Sequence, residues 1–247
     1  MKSAYASALP PIRRLGVIGD LHGEHQRLET VLEWLAGQQL DALVCTGDLA
    51  DGTGCINRSC ALLQQAEVIT VAGNHDRWLL QNRVRHVAGA HRIEQLEEGN
   101  LNYMRSLPQV ITLDTVAGPL LLCHGVAGND LGKVWPGTPR SRIERSAELD
   151  ALLTADHHRF VINGHMHFRV LIDFQRLLLI NAGTLKGPHA GVSIVDFAGG
   201  AVTAYDVEAG QRPTLAREHA LRPGAQRRVW RDTREFDGSW QPALLYA

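Results

Sequence analysis

The chain has 247 residues, enough for one large domain or two small ones with a core that needs no disulfide staples. Its apolar share of 45% and charged share of 21% are those of an ordinary globular protein. A formal net charge of −1 gives no global field toward nucleic acid or anionic lipid, and no apolar run approaches the roughly 18 residues of a membrane span.

Residues 1–14 lack an apolar stretch long enough for a signal peptide, so the expected location is cytoplasmic. The first predicted strand covers 15–19. It leads into a predicted helix over 24–38, in which Leu28, Val31, Leu32 and Leu35 fall at i, i+3, i+4 and i+7 on one face. A strand over 42–46, a helix over 57–67 and a strand over 68–72 follow, an alternation that points to parallel pairing. The stretch 77–108 reads as mostly helical, with Ile93, Leu96, Met104 and Leu107 as core contacts. Strands over 110–113 and 120–123 then pair around a Gly118-Pro119 turn. Residues 126–142 read as a Gly/Pro-bearing loop near the site, and 144–155 as a helix. Strands follow over 160–163, 170–174, 177–181, 191–197 and 201–207. A mixed core of two sheets with helices outside fits this order better than one open sheet.

Cys45 and Cys123 sit in apolar runs and read as buried free thiols. Cys55 and Cys60 have no second pair to complete a zinc site and read as ordinary loop residues. His25, His86, His91, His157, His158 and His219 lie in polar surroundings and read as solvated. After residue 207 the chain turns arginine-rich with Trp230, Phe236, Trp240 and Tyr246 interleaved. Such a tail could grip nucleic acid. The preferred reading packs its aromatics on the body and leaves its arginines in water, because acids dilute the charge.

Short acid- and histidine-bearing pieces follow the predicted strands: Asp20-Leu21-His22, Gly47-Asp48, Gly73-Asn74-His75-Asp76, His124-Gly125, and Gly164-His165 with His167. Ligand sites in α/β sheets lie beyond the carboxyl ends of strands, where these pieces fall. Asp20, His22, Asp48, Asn74, His124, His165 and His167 supply carboxylates, imidazoles and an amide carbonyl. That set suits a pair of divalent ions about 3.5–4 Å apart, an arrangement that ionises water and neutralises charge on a phosphoryl group. The mixture of oxygen and nitrogen favours manganese first, then iron or zinc, over magnesium or calcium.

In this order the motifs resemble those of the calcineurin-like metallophosphoesterase superfamily, over about residues 15–207. The resemblance implies an α/β fold, a two-sheet mixed β-sandwich flanked by helices, with an N-terminal segment 1–14 and a C-terminal extension 208–247 outside it. It implies that Asp20, His22 and His167 bind a first ion, that Asn74, His124 and His165 bind a second, and that Asp48 bridges. A metal-bridging hydroxide would be the nucleophile. His75 would be the general acid, paired with Asp51, whose carboxylate would keep the imidazole charged; Asp76 would brace the loop. Arg77 is read either as a phosphate contact or as a helix-starting surface residue. Where the protein phosphatase and dinucleoside-tetraphosphatase branch carries an arginine after the second Asp, this chain has Gly52. The full Gly-His-x-His and the Asn181-Ala182-Gly183-Thr184 turn look more like small bacterial phosphoesterases. The expected activity is hydrolysis of a small phosphate mono- or diester. The alternatives are a protein Ser/Thr phosphatase or dinucleoside-polyphosphate hydrolase and, in another class, a non-catalytic metal-binding interaction module.

Overall fold

The computed structural model describes residues 10–247. Strand β1 (Arg14–Ile18) leads to helix α1 (His25–Leu35), β2 (Ala42–Cys45), α2 (Ile56–Gln65), β3 (Ile69–Thr70), α3 (Asn74–Leu80) and α4 (Glu98–Ser106). Then come β4 (Val110–Thr115), β5 (Gly118–Cys123), α5 (Ala147–Ala155), β6 (Phe160–Asn163), β7 (Arg169–Phe174), β8 (Leu178–Ala182), β9 (Gly191–Asp196) and β10 (Ala201–Asp206). The last forty residues add β11 (Thr214–Ala220), β12 (Val229–Trp230) and β13 (Ala243–Leu244). No helix among the described residues is long and apolar enough to cross a membrane.

Two mixed sheets stack face to face. The first runs β11-β10-β9-β1-β2-β3, with β1, β2 and β3 parallel and β9 to β11 antiparallel. The second runs β12-β7-β8-β6-β5-β4, with β5, β6 and β8 parallel and β13 paired to β7. Between them lies a core of Leu15, Val17 and Val44 from the first sheet and Leu120, Leu122, Ile162 and Ile180 from the second, each 0% exposed. A side chain of this size contributes roughly 1.5–3 kcal/mol when fully buried. The apolar face of α1, formed by Leu28, Val31, Leu32 and Leu35 as its spacing predicts, covers the outside of the first sheet together with α2 and α4. Helix α5 and the tail aromatics Trp230, Phe236 and Trp240 cover the outside of the second.

Several local expectations shift. The stretch 77–108 is helical only at its ends. Asn82 adopts φ 56°, the left-handed conformation that closes many helices, and the chain then runs irregularly to a 3₁₀ turn at Ile93–Gln95. Helix α5 starts at Ala147 because Ser146 caps it, its Oγ accepting from Leu149 N at 3.2 Å, while Glu144 pairs with Trp135 instead. The hairpin turns at residues 116–117, placing Pro119 opposite Asp114 on β5. Cys60 is buried on α2. In the tail, Arg227 is not left in water: it pairs with the buried Asp173 at 2.9 Å.

Candidate metal centre

The carboxyl ends of parallel strands from both sheets meet at one edge of the sandwich. Asp20 and His22 follow β1, Asp48 and Asp51 follow β2, and Asn74 opens α3 just after β3. His124 follows β5, and His165 and His167 lie in the turn from β6 to β7. All seven predicted ligands therefore converge. One ligand atom from each of Asp20, His22, Asp48 and His167 falls within 4.8 Å of the others, and Asp48, His124 and His165 form a second such group. Asp48 belongs to both.

Hydrogen bonds behind these candidate ligands aim them. His22 Nδ1 donates to Ala50 O at 3.0 Å and His124 Nδ1 donates to Thr46 O at 2.8 Å, which turns each Nε2 lone pair inward. Asp20 accepts from Thr46 Oγ1 at 2.8 Å and from His165 N at 2.7 Å. Asp48 accepts from His75 N at 2.8 Å through Oδ1, leaving Oδ2 to face both groups. That Oδ2 stands 3.8 Å from His22 Nε2 and 3.3 Å from His124 Nε2.

The backbone pays a conformational cost to achieve this. His22 (φ 46°), Asp48 (φ 46°), Asp51 (φ 66°), His165 (φ 64°) and His167 (φ 58°) all occupy the left-handed region. Each such residue costs of order 1–3 kcal/mol, held in place by the surrounding fold. Glycine is required where two loops touch: a Cβ on Gly164 would run into the carboxylate of Asp20, and one on Gly73 into that of Asp48.

The donor set fits a pair of divalent cations. His22 Nε2 and His167 Nε2 stand 3.0 Å apart with His22 Nδ1 already committed as donor. One terminal atom of the Asn74 amide lies 2.9 Å from both His124 Nε2 and His165 Nδ1, the place a coordinating oxygen would take, and the buried His165 Nε2 has no partner. Two buried carboxylates with imidazoles and an amide drawn around them this closely suit a positive charge between them. The titration behaviour agrees. Burial presses the His124 imidazolium to lose its proton, but the carboxylates of Asp48 and Asp20 outweigh it and lift the group to about 10. Burial, with His124 nearby, pushes His165 down to about 4. Burial works against the Asp48 carboxylate, yet His124, His75 and His22 together hold it well below the usual range.

Beside the ligands, His75 Nδ1 donates to Asp51 Oδ2 at 2.6 Å, and its Nε2 lies 4.0 Å from Asp48 Oδ2, over the junction of the two groups. Burial would raise the Asp51 carboxyl, but hydrogen bonds from His75 and His91 hold it below its ordinary value. Asp76 braces the loop as expected, accepting from Leu49 N and Ala50 N through Oδ1 and from Gly73 N through Oδ2. Burial and the charge of Asp48 raise it to about 6. Arg77 is engaged by Asp130 through two bonds of 2.6 and 2.9 Å. His91, expected in water, is 6% exposed and bonded to Asp51. Nothing in its local sequence signals this, because its contact spans forty residues. Trp78, also missed, sets its ring against His75 at 5.0 Å and carries Arg85 over its face at 4.2 Å.

Residues 14–200 match the calcineurin-like phosphoesterase superfamily domain, and the chain belongs to that superfamily. Among solved structures it resembles a metallophosphoesterase from Sphaerobacter thermophilus, at 24% identity and TM-score 0.57 over 79% of this chain and 88% of that one. It also resembles a hypothetical protein from Pyrococcus horikoshii, at 14% identity and TM-score 0.61 over 80% and 89%. An uncharacterised protein of Methanocaldococcus jannaschii is 21% identical over 72% of this chain and 79% of its own length. The two structural likenesses are likenesses of fold, the two-sheet sandwich with flanking helices.

Proposed function

We propose that this chain is a dinuclear-metal-dependent phosphohydrolase acting on a small phosphate mono- or diester. The observation that carries the reading is Asp48, a single buried carboxylate common to two groups of ligands, with an Asp-paired histidine poised beside it. Asp20, His22 and His167 would hold one ion, Asn74, His124 and His165 the other, and Asp48 both. Manganese suits this mixture of oxygen and nitrogen best, with iron or zinc as alternatives. What two divalent ions add at such a centre is charge neutralisation on the phosphoryl oxygens and activation of water at neutral pH.

The remaining work falls to the protein. Asp51 holds His75 by Nδ1, so the proton available to substrate sits on Nε2, the nitrogen that faces the ligand groups. From there it is donated to the departing alkoxide oxygen, which would otherwise leave as a strong base. Asp76 locks the loop 48–50 to the start of α3 and so fixes Asp48 and Asn74 relative to each other. The presence of His75 with its Asp51 partner favours this reading over a non-catalytic metal-binding module. All four cysteines are free, which suits a reducing compartment and a cytoplasmic site of action. The full chain loaded with manganese should hydrolyse a p-nitrophenyl phosphate mono- or diester, and Asp48→Asn should abolish both that turnover and the uptake of a second ion. Metal binding without hydrolysis of any phosphate ester would instead support the interaction module.

A further inference from the structure

His91 lies on the irregular stretch between α3 and α4, outside every motif of the metal centre, yet its bonds run to Asp51. Asp51 N donates to His91 Nδ1 at 2.9 Å, and His91 N donates back to Asp51 Oδ1 at 3.0 Å. The two residues thus close a reciprocal pair across forty positions of sequence. The ring's far side is also placed: Nε2 reaches Gly54 O at 3.3 Å, and the Cε1 edge packs against Gly23, where a Cβ would come within 3.2 Å. Because Nδ1 accepts, the proton of the neutral ring belongs on Nε2, the nitrogen that faces a carbonyl.

The bonds divide the Asp51 carboxylate. Oδ1 takes His91 N and Oδ2 takes His75 Nδ1. Asp51 itself stands at φ 66°, a conformation a non-glycine residue keeps only when its surroundings fix it. The bond to its backbone N–H is one such restraint, and His91 supplies it from a side chain. Without it, the carboxylate can rotate and the His75 ring can swing with it.

Resting on the reading of His75 as the general acid, we propose that His91 is a positioning residue for proton donation: it holds the backbone and one oxygen of Asp51 so that the other oxygen aims His75 at the leaving group. His91 touches neither substrate nor metal ligand in this role. Its loss therefore acts only where protonation of the leaving oxygen limits the rate.

Two replacements of similar polarity separate positioning from mere packing. Asn at 91 puts an amide oxygen near the place of Nδ1, within reach of Asp51 N. Gln carries its oxygen one bond further, toward Gly54. The manganese-loaded full chain is assayed on a p-nitrophenyl ester and on an alkyl ester of the same phosphate class. His91→Gln should lower kcat on the alkyl ester by about 10–100-fold and on the nitrophenyl ester by less than about threefold, since nitrophenolate needs little protonation. Manganese stoichiometry should be unchanged. His91→Asn should restore most of the alkyl-ester rate, and adding His91→Gln to Asp51→Asn should cost nothing further, because both act through one unit. Indistinguishable Asn and Gln variants, equal losses on both esters, or additive losses would overturn the assignment while leaving the phosphohydrolase standing. If the wild-type chain hydrolyses neither ester, the phosphohydrolase reading falls and the role of His91 falls with it.

Discussion

Loading of the second ligand group should displace a proton from His124. In the metal-free protein the His124 imidazolium is lifted to about 10 by the carboxylates of Asp48 and Asp20, whereas an ordinary histidine titrates near 6.5. At pH 8 an ordinary histidine would be only about 3% protonated, but His124 would be almost fully charged. A metal ion needs the neutral nitrogen, so its entry must displace the proton. His165, pushed down to about 4, is already neutral and releases nothing. The apparent affinity for that ion should then rise at least about tenfold per pH unit between pH 7 and 8.5. From pH 7 to the His124 value of about 10 the proton competes by about three units, or about 4 kcal/mol at 1.36 kcal/mol per unit. Titration calorimetry with manganese in buffers of differing ionisation enthalpy measures the release directly. At least about one proton per second-site ion at pH 8 is expected, and His124→Asn should lower the number by about one, leaving only what ionised water contributes. The sign also fixes a stability effect. A histidine raised in the folded state stabilises below its unfolded value and loses that contribution as pH climbs toward the folded one. The metal-free protein should therefore melt at lower temperature at pH 9 than at pH 7, and the loaded protein should show no such fall. Proton release near zero at pH 8, or release unchanged in His124→Asn, would refute the electrostatic account of this site.

His75→Ala should slow hydrolysis of an alkyl phosphate ester by about 10²–10⁴-fold and that of an activated nitrophenyl ester much less; a rate plot against leaving-group pKa reads the difference, and equal losses would remove His75 as the acid. Gly164→Ala should press a methyl group onto the Asp20 carboxylate and the Thr46 hydroxyl. Overpacking of this kind costs about 1–3 kcal/mol, which at about 2–4 °C per kcal/mol lowers Tm by about 2–12 °C, with weaker metal uptake. Gly99→Ala, where a Cβ would meet nothing, should leave Tm unchanged or slightly raised and serves as the control.

The convergence of the seven candidate ligands was legible in the sequence for a physical reason. Each of these residues sits in a short piece directly after a strand, and hard or borderline cations accept few side-chain types, so chemistry and position could be read together from local spacing. The amphipathic face of α1 was legible because its burial repeats with the helix. Strand β11 was not: its residues are exposed or half-exposed on both faces, so no alternation marks it, and only pairing to β10 makes it a strand. The tail aromatics were read correctly as packing on the body, but Arg227 was not, because its partner Asp173 lies 54 residues earlier on β7. His91 belongs with Arg227. A histidine among polar neighbours has no local mark that separates solvent from a buried carboxylate, and what distinguishes it is a loop path that no periodicity records. The proposed ion-binding residues are thus written in local motifs, while the proposed restraint on His75 through Asp51 and His91 is written in the fold. Two relatives with identical motifs could therefore bind metal alike and differ widely on substrates whose leaving groups need a proton.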